Sequence, residues 1–111
     1  LRTSDPPGTD SWEEGLHAMT REIFSMKERC RLRGVPFEVY LHPVPFQGLG
    51  ADRYQSLVVP VLSAGGVACH DLRPFLNKGH WIPYDGHYSV SGHARLAETI
   101  DGLIQSRSRR E

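Results

Sequence analysis

With 111 residues the chain has room for one domain with a modest core, not for two. Thirteen basic residues balance thirteen acidic ones at a pI near 7.2, which removes the electrostatic case for a nucleic-acid or polyanion partner. No apolar run nears the roughly 18 residues of a membrane helix, and Leu1-Arg2-Thr3-Ser4 lacks the basic-then-apolar layout of a signal peptide, so no membrane partner is expected.

Residues 1–10 gather Pro6, Pro7 and Gly8 among Ser, Thr and Asp, which favours an extended lead-in. Ser11 and Glu14 then make an S-x-x-E capping box, and Trp12, Leu16, Met19, Ile23, Met26 and Cys30 recur at steps of three and four. That spacing predicts an amphipathic helix over 11–33, ended by Gly34 with Pro36 beyond it. Its Met and aromatic stripe reads as core packing.

A β-rich strand is predicted over 37–42, cut off by Pro43 and Pro45. His42 falls at its C-terminal end, where open α/β sheets gather ligand groups. The bland alternative is a histidine capping a loop. Phe46 and Leu49 in the following loop could shape a pocket wall. Asp52 and Gln55 give a second capping signal, and Tyr54, Leu57, Val58, Val61 and Leu62 share one helical face. Pro60 lies inside that pattern and should kink the helix near Ser56. Gly65-Gly66 closes it, residues 67–72 read as a second buried strand, and Arg73-Pro74-Phe75-Leu76 as a single helical turn.

Residues 77–87 form a loop containing Trp81, Pro83 and Gly86. From Ser89 the pattern is helical again, with Val90, Ala94, Ala97, Ile100 and Ile104 on one stripe and Leu96 and Leu103 beside it. Residues 106–111 read as a polar basic tail, in which Arg107, Arg109 and Arg110 make a solvated terminus rather than a binding patch. Helix, strand, helix, strand, helix is the alternation of an α/β fold with parallel strands. Two strands are fewer than an independent sheet normally has, so the chain looks like half of a doubly wound domain. Its start at Leu1, without an initiator Met, fits a piece of something longer. Cys30 and Cys69 make no disulfide framework and read as reduced, which slightly favours a cytoplasmic setting.

The chemically loaded stretch is Asp85-Gly86-His87 at the mouth of the last helix. A carboxylate can accept a proton from one imidazole nitrogen, fix the tautomer and leave the other nitrogen as a general base. Gly86 permits the tight backbone that would turn both side chains to one side. Against this stand two plainer readings: Asp-Gly is a common turn dipeptide, and His87 could cap the helix. The spacings among Cys69, His70, Asp71, His80, Asp85, His87 and His93 fit no zinc pattern, and no metal or cofactor is expected. His80 reads as a surface or rim residue beside Trp81, and His93 as a first-turn residue bonding near the loop.

At Asp85-Gly86-His87-Tyr88-Ser89 followed by Gly92-His93-Ala94 the sequence resembles the last conserved block of the GDSL/SGNH hydrolases, esterases and acetylhydrolases of flavodoxin-like fold. The order of elements over 11–105 is similar to the C-terminal half of that family. The resemblance implies a three-layer parallel sheet of which only part is present, with His87 as general base and Asp85 as its orienting carboxylate. The family's nucleophile, in a Gly-Asp-Ser motif, and its oxyanion Gly and Asn have no counterpart here; Asn77, the only Asn, is not in a Gly-x-Asn-Asp context. The spacing is Asp-x-His, a variant of the commoner Asp-x-x-His. The implied function is the base-bearing portion of a serine hydrolase acting on a small-molecule or carbohydrate ester, inactive by itself. His42 and Trp81 would line its substrate pocket. The implied partner is a missing N-terminal half or a self-associated copy; the alternative is a non-catalytic binding or self-associating module of the same fold.

Overall fold

The periodic apolar residues of the first predicted helix do form one. In a computed structural model, which describes residues 10–43 and 53–110, α1 spans Asp10–Leu32. A Schellman turn closes it: the Gly34 N–H donates to the Arg31 carbonyl at 3.1 Å and the Val35 N–H to that of Cys30 at 2.9 Å. Gly34 sits at φ +68°, the left-handed backbone that explains a glycine there. Leu16, Met19 and Ile23 of the predicted stripe pack into the core, but Met26 is 47% exposed. The reason is length. At 23 residues α1 is about 35 Å long, nearly twice the 12-residue helix it packs against, so its last turns run past α2 and are mostly exposed among the described residues. The predicted lead-in, the 44–52 segment with Phe46, Leu49 and Asp52, and the side chains of Ser11, Trp12 and Tyr54 lie outside the described residues.

Strand β1 (Glu38–Leu41) leads through α2 (Arg53–Ala64) to β2 (Ala68–Asp71), and the two strands pair in parallel with Glu38 opposite Ala68 and Leu41 opposite Asp71. Thus α2 is the crossover of a β-α-β unit. Pro60 lies inside α2 without ending it. Both Pro60 and Ser56 are exposed, so water can satisfy the Ser56 carbonyl that Pro60 cannot bond. Only part of the predicted α2 face is inside: Val58 and Leu62 are buried, whereas Leu57 and Val61 are exposed along a groove of about 190 Å³ that α2 forms with Leu16 and Thr20 of α1.

The two faces of the sheet are unlike. Val39, Leu41 and Cys69 pack with Ile23, Val58, Leu62 and Val67 into the apolar core. Glu38, Tyr40 and His70 form a polar cluster instead. The Glu38 carboxylate, 7% exposed, accepts from His70 Nε2 at 2.7 Å and from the Tyr40 hydroxyl at 3.1 Å through Oε1, and from Arg107 Nη1 at 2.5 Å through Oε2. The Tyr40 and His70 rings stack at 4.8 Å. Strand β2 is therefore half-buried rather than buried, because one of its faces holds this cluster.

Arg107 comes from α3, which spans Val90–Arg110. The predicted basic tail is thus mostly helix, with Arg107 drawn under it by the Glu38 charge. The face that α3 turns inward also differs from the predicted stripe. It runs Gly92, Leu96, Thr99, Leu103, Arg107, with the predicted Ile100 half-buried beside it, while Val90 is 90% exposed and Ala94 and Ala97 face solvent. A close approach at Gly92 and an ion pair at Arg107 set that face, so apolar spacing alone misplaces it.

Two measurements check this layout. Leu62→Ala, at a fully buried position, should destabilise the fold by about 3 kcal/mol in urea denaturation. Burial pushes the Glu38 carboxyl up, but the His70 and Tyr40 hydrogen bonds and the Arg107 charge outweigh it and hold it below its ordinary value. Its contribution is therefore complete above about pH 4.3 and drains as pH falls through the lower folded value. Glu38→Gln should be less stable than the wild type at neutral pH, with a gap that narrows on acidification.

Candidate functional site

The loop between β2 and α3 is built by short local bonds. After β2, Asp71 binds Arg73 through its side chain at 2.6 Å, and a 3-10 turn follows at Arg73–Phe75, as the sequence predicts. A second 3-10 turn at Lys78–His80 is capped by Asn77, whose side chain accepts from the Gly79 N–H at 2.8 Å while its own N–H donates to His80 Nδ1 at 2.9 Å. Asn77 and His80 are thereby occupied in shaping the loop. Trp81 and Tyr88 then pair as an antiparallel bridge around a turn in which the Asp85 N–H donates to the Ile82 carbonyl at 3.1 Å.

That turn has Pro83 at its second position and Tyr84 at its third, with φ +59°, the type II pattern that usually takes glycine at the third position. Gly86 was expected to carry the tight backbone, and it does not: its φ is not in the left-handed region, and a Cβ there would meet nothing within 4 Å. The Pro83 ring presets the second turn position, and the left-handed conformation falls on Tyr84 at the third.

Asp85 and His87 come together as expected. Asp85 Oδ1 accepts from His87 Nδ1 at 2.5 Å and from the His87 backbone N–H at 2.9 Å. The hydrogen bonds from His87 hold the Asp85 carboxyl below its usual range. The carboxylate only accepts, so it fixes the proton on Nδ1 and leaves Nε2 as the basic nitrogen on a ring whose side chain is 84% exposed. His87 does not cap α3. Ser89 does, its hydroxyl accepting from the Gly92 N–H at 3.1 Å.

His42 and Trp81, the other two predicted site residues, are joined through Tyr88. His42 Nδ1 lies 2.6 Å from the Tyr88 hydroxyl, and the Tyr88 ring stacks on Trp81 at 4.2 Å and meets His93 edge-on at 5.6 Å. His42 is held from behind as well, its carbonyl accepting from the Gln55 side-chain amide at 2.9 Å. Gln55 is fully buried, and its own Oε1 has no hydrogen-bond partner among the described residues; the capping signal it shares with Asp52 lies outside them. Sequence reasoning named Gln55 only as a capping residue and Tyr88 only within the Asp85–Ser89 block, and gave neither a part in the site. Tyr88 stands next to the suspected base, and Gln55 is a polar residue on an apolar helical face, which is the signal that could have marked it. Among the described residues no three His, Cys, Asp or Glu side chains converge as a metal site would require.

Two glycines separate geometry from motif. A Cβ at Gly92 would lie 1.9 Å from the His80 carbonyl oxygen, so Gly92→Ala should cost about 3 kcal/mol or more and displace the dyad loop. Gly86→Ala should leave both the stability and the His87 imidazole resonances unchanged. Equal effects of the two substitutions would contradict this account of the loop. Compared with family models, with curated proteins and with solved structures, the chain matches none.

Proposed function

We propose that this chain is the C-terminal portion of an SGNH-type serine hydrolase of flavodoxin-like fold, acting on ester or acetyl-ester bonds. The observation that carries the reading is the Asp85 carboxylate 2.5 Å from His87 Nδ1, which leaves Nε2 bare and outward. In this reading Nε2 takes the proton of a serine hydroxyl as that oxygen attacks the ester carbonyl, and the imidazolium formed is stabilised by Asp85. The same proton passes to the departing alkoxide. Water then enters by the same route and releases the acid. The serine, and the donors that stabilise the tetrahedral oxyanion, belong to residues outside this chain, whose partner half would extend the two-stranded sheet. His42 and Trp81 line the substrate side.

A second reading, a binding module without catalysis, draws on the packed Trp81, Tyr88 and His93 rings, which would give an acyl or sugar ligand an aromatic wall. Ester turnover decides between the two. In the protein that carries this segment, His87→Ala should lower hydrolysis of a p-nitrophenyl ester on the order of a thousandfold. Asp85→Asn should cause a considerably smaller loss, because Asp85 orients the base and does not transfer the proton. An unchanged rate in His87→Ala would sink the hydrolase reading.

A further inference from the structure

A carboxylate can only accept from the imidazole it meets, whereas a phenol can donate to one or accept from it. Asp85 can only accept, so His87 carries its proton on Nδ1 and offers a lone pair at Nε2. The Tyr88 hydroxyl is different. Burial pushes its ionisation up, so the phenol keeps its proton at neutral pH, and His42 Nδ1, at 2.6 Å, is its hydrogen-bond partner among the described residues. When the phenol donates its O–H into Nδ1, His42 carries its own proton on Nε2. Its ring is exposed, while Gln55 fixes its backbone and the Trp81 stack fixes Tyr88. The residue after the base is therefore placed to set the polarity of a second imidazole at the C-terminal end of β1.

We propose that Tyr88 donates its O–H to His42 Nδ1 and so fixes the His42 tautomer as a positioning residue, and that His42 is a ligand-contacting residue whose Nε2–H donates to a carbonyl or carboxylate oxygen of an acyl ligand. The pair of histidines then offers one acceptor, His87, and one donor, His42. That the oxygen is an acyl one rests on the hydrolase reading; the tautomer does not.

Long-range nitrogen–proton NMR correlations on the full chain at pH 8.5 read both tautomers directly. Expected are an Nε2–H His42 and an Nδ1–H His87. Tyr88→Phe keeps the ring that packs on Trp81 and His93, so the fold is retained. In that variant the His42 Nδ1 signal should move toward the position of a free lone pair, while His87 stays unchanged. A protonated Nδ1 on His42 in the wild type, or an Nδ1 signal that ignores Tyr88→Phe, overturns the assignment. Acetate serves as the oxygen probe. It should shift the His42 Nε2–H saturably, and its affinity should fall about tenfold in His42→Ala, the loss of one hydrogen bond to a charged acceptor. Acetate binding that is absent, or equal in His42→Ala, also overturns it. Acetate binding intact in His87→Ala, with ester turnover also intact in that variant, defeats the hydrolase reading and leaves the His42 assignment standing.

Discussion

The His80 carbonyl is the point on which the site depends. It accepts the Ser89 N–H at 2.9 Å, and α3 approaches it so closely at residue 92 that only a hydrogen fits there. This contact seats the start of α3 against the 3-10 turn at Lys78–His80, and so sets both ends of the segment that holds Asp85 and His87. The dyad could not hold itself. Both of its side chains are well exposed, where water competes for the same hydrogen bonds and their mutual contact adds little. Its geometry comes from the backbone: the Ile82 N–H donates to the His87 carbonyl at 3.0 Å, and Asp85 binds the His87 N–H as well as its ring.

The rest of the molecule places that loop relative to the sheet by two unlike means. On one face, apolar residues of α1 and α2 cover Val39 and Leu41. On the other, a nearly buried carboxylate gathers an arginine, a histidine and a tyrosine, tying the far end of α3 to β1. A paired and hydrogen-bonded charge tolerates burial where a lone one does not. Such a cluster is directional as well, and so fixes how α3 lies across the sheet. Near its start α3 is tied again, Arg95 donating to the Phe75 carbonyl at 2.9 Å. The His42–Tyr88 bond then links the end of β1 to the residue that follows the base.

Much of this was legible in the sequence because it is local. Steps of three and four mark α1, the left-handed Gly34 ends it, and the alternation of elements predicts the α/β class with parallel strands. The Asp85–His87 contact was legible for the same reason, two residues apart in a tight loop. What escaped is long-range. Glu38 and Arg107 are 69 positions apart, and nothing near either announces the other. The inward face of α3 was misjudged because a glycine and an arginine define it, residues that hydrophobic periodicity does not weigh. The left-handed turn position went to Tyr84 rather than Gly86 because the turn closes from Ile82 to Asp85, which makes Tyr84 its third residue. His42 and Trp81 were picked for their places at a strand end and in the loop. Tyr88, which joins them, becomes visible only once the strand end and the loop are seen side by side.

The central proposal is that His87, oriented by Asp85, is the base for a serine supplied from outside this chain. The most direct test is labelling of the protein that carries this segment with a serine-directed fluorophosphonate, followed by peptide mapping. The account predicts one labelled serine, outside these 111 residues, whose rate of modification collapses in His87→Ala. Labelling at the same rate in that variant, or at a serine within this chain, would contradict it.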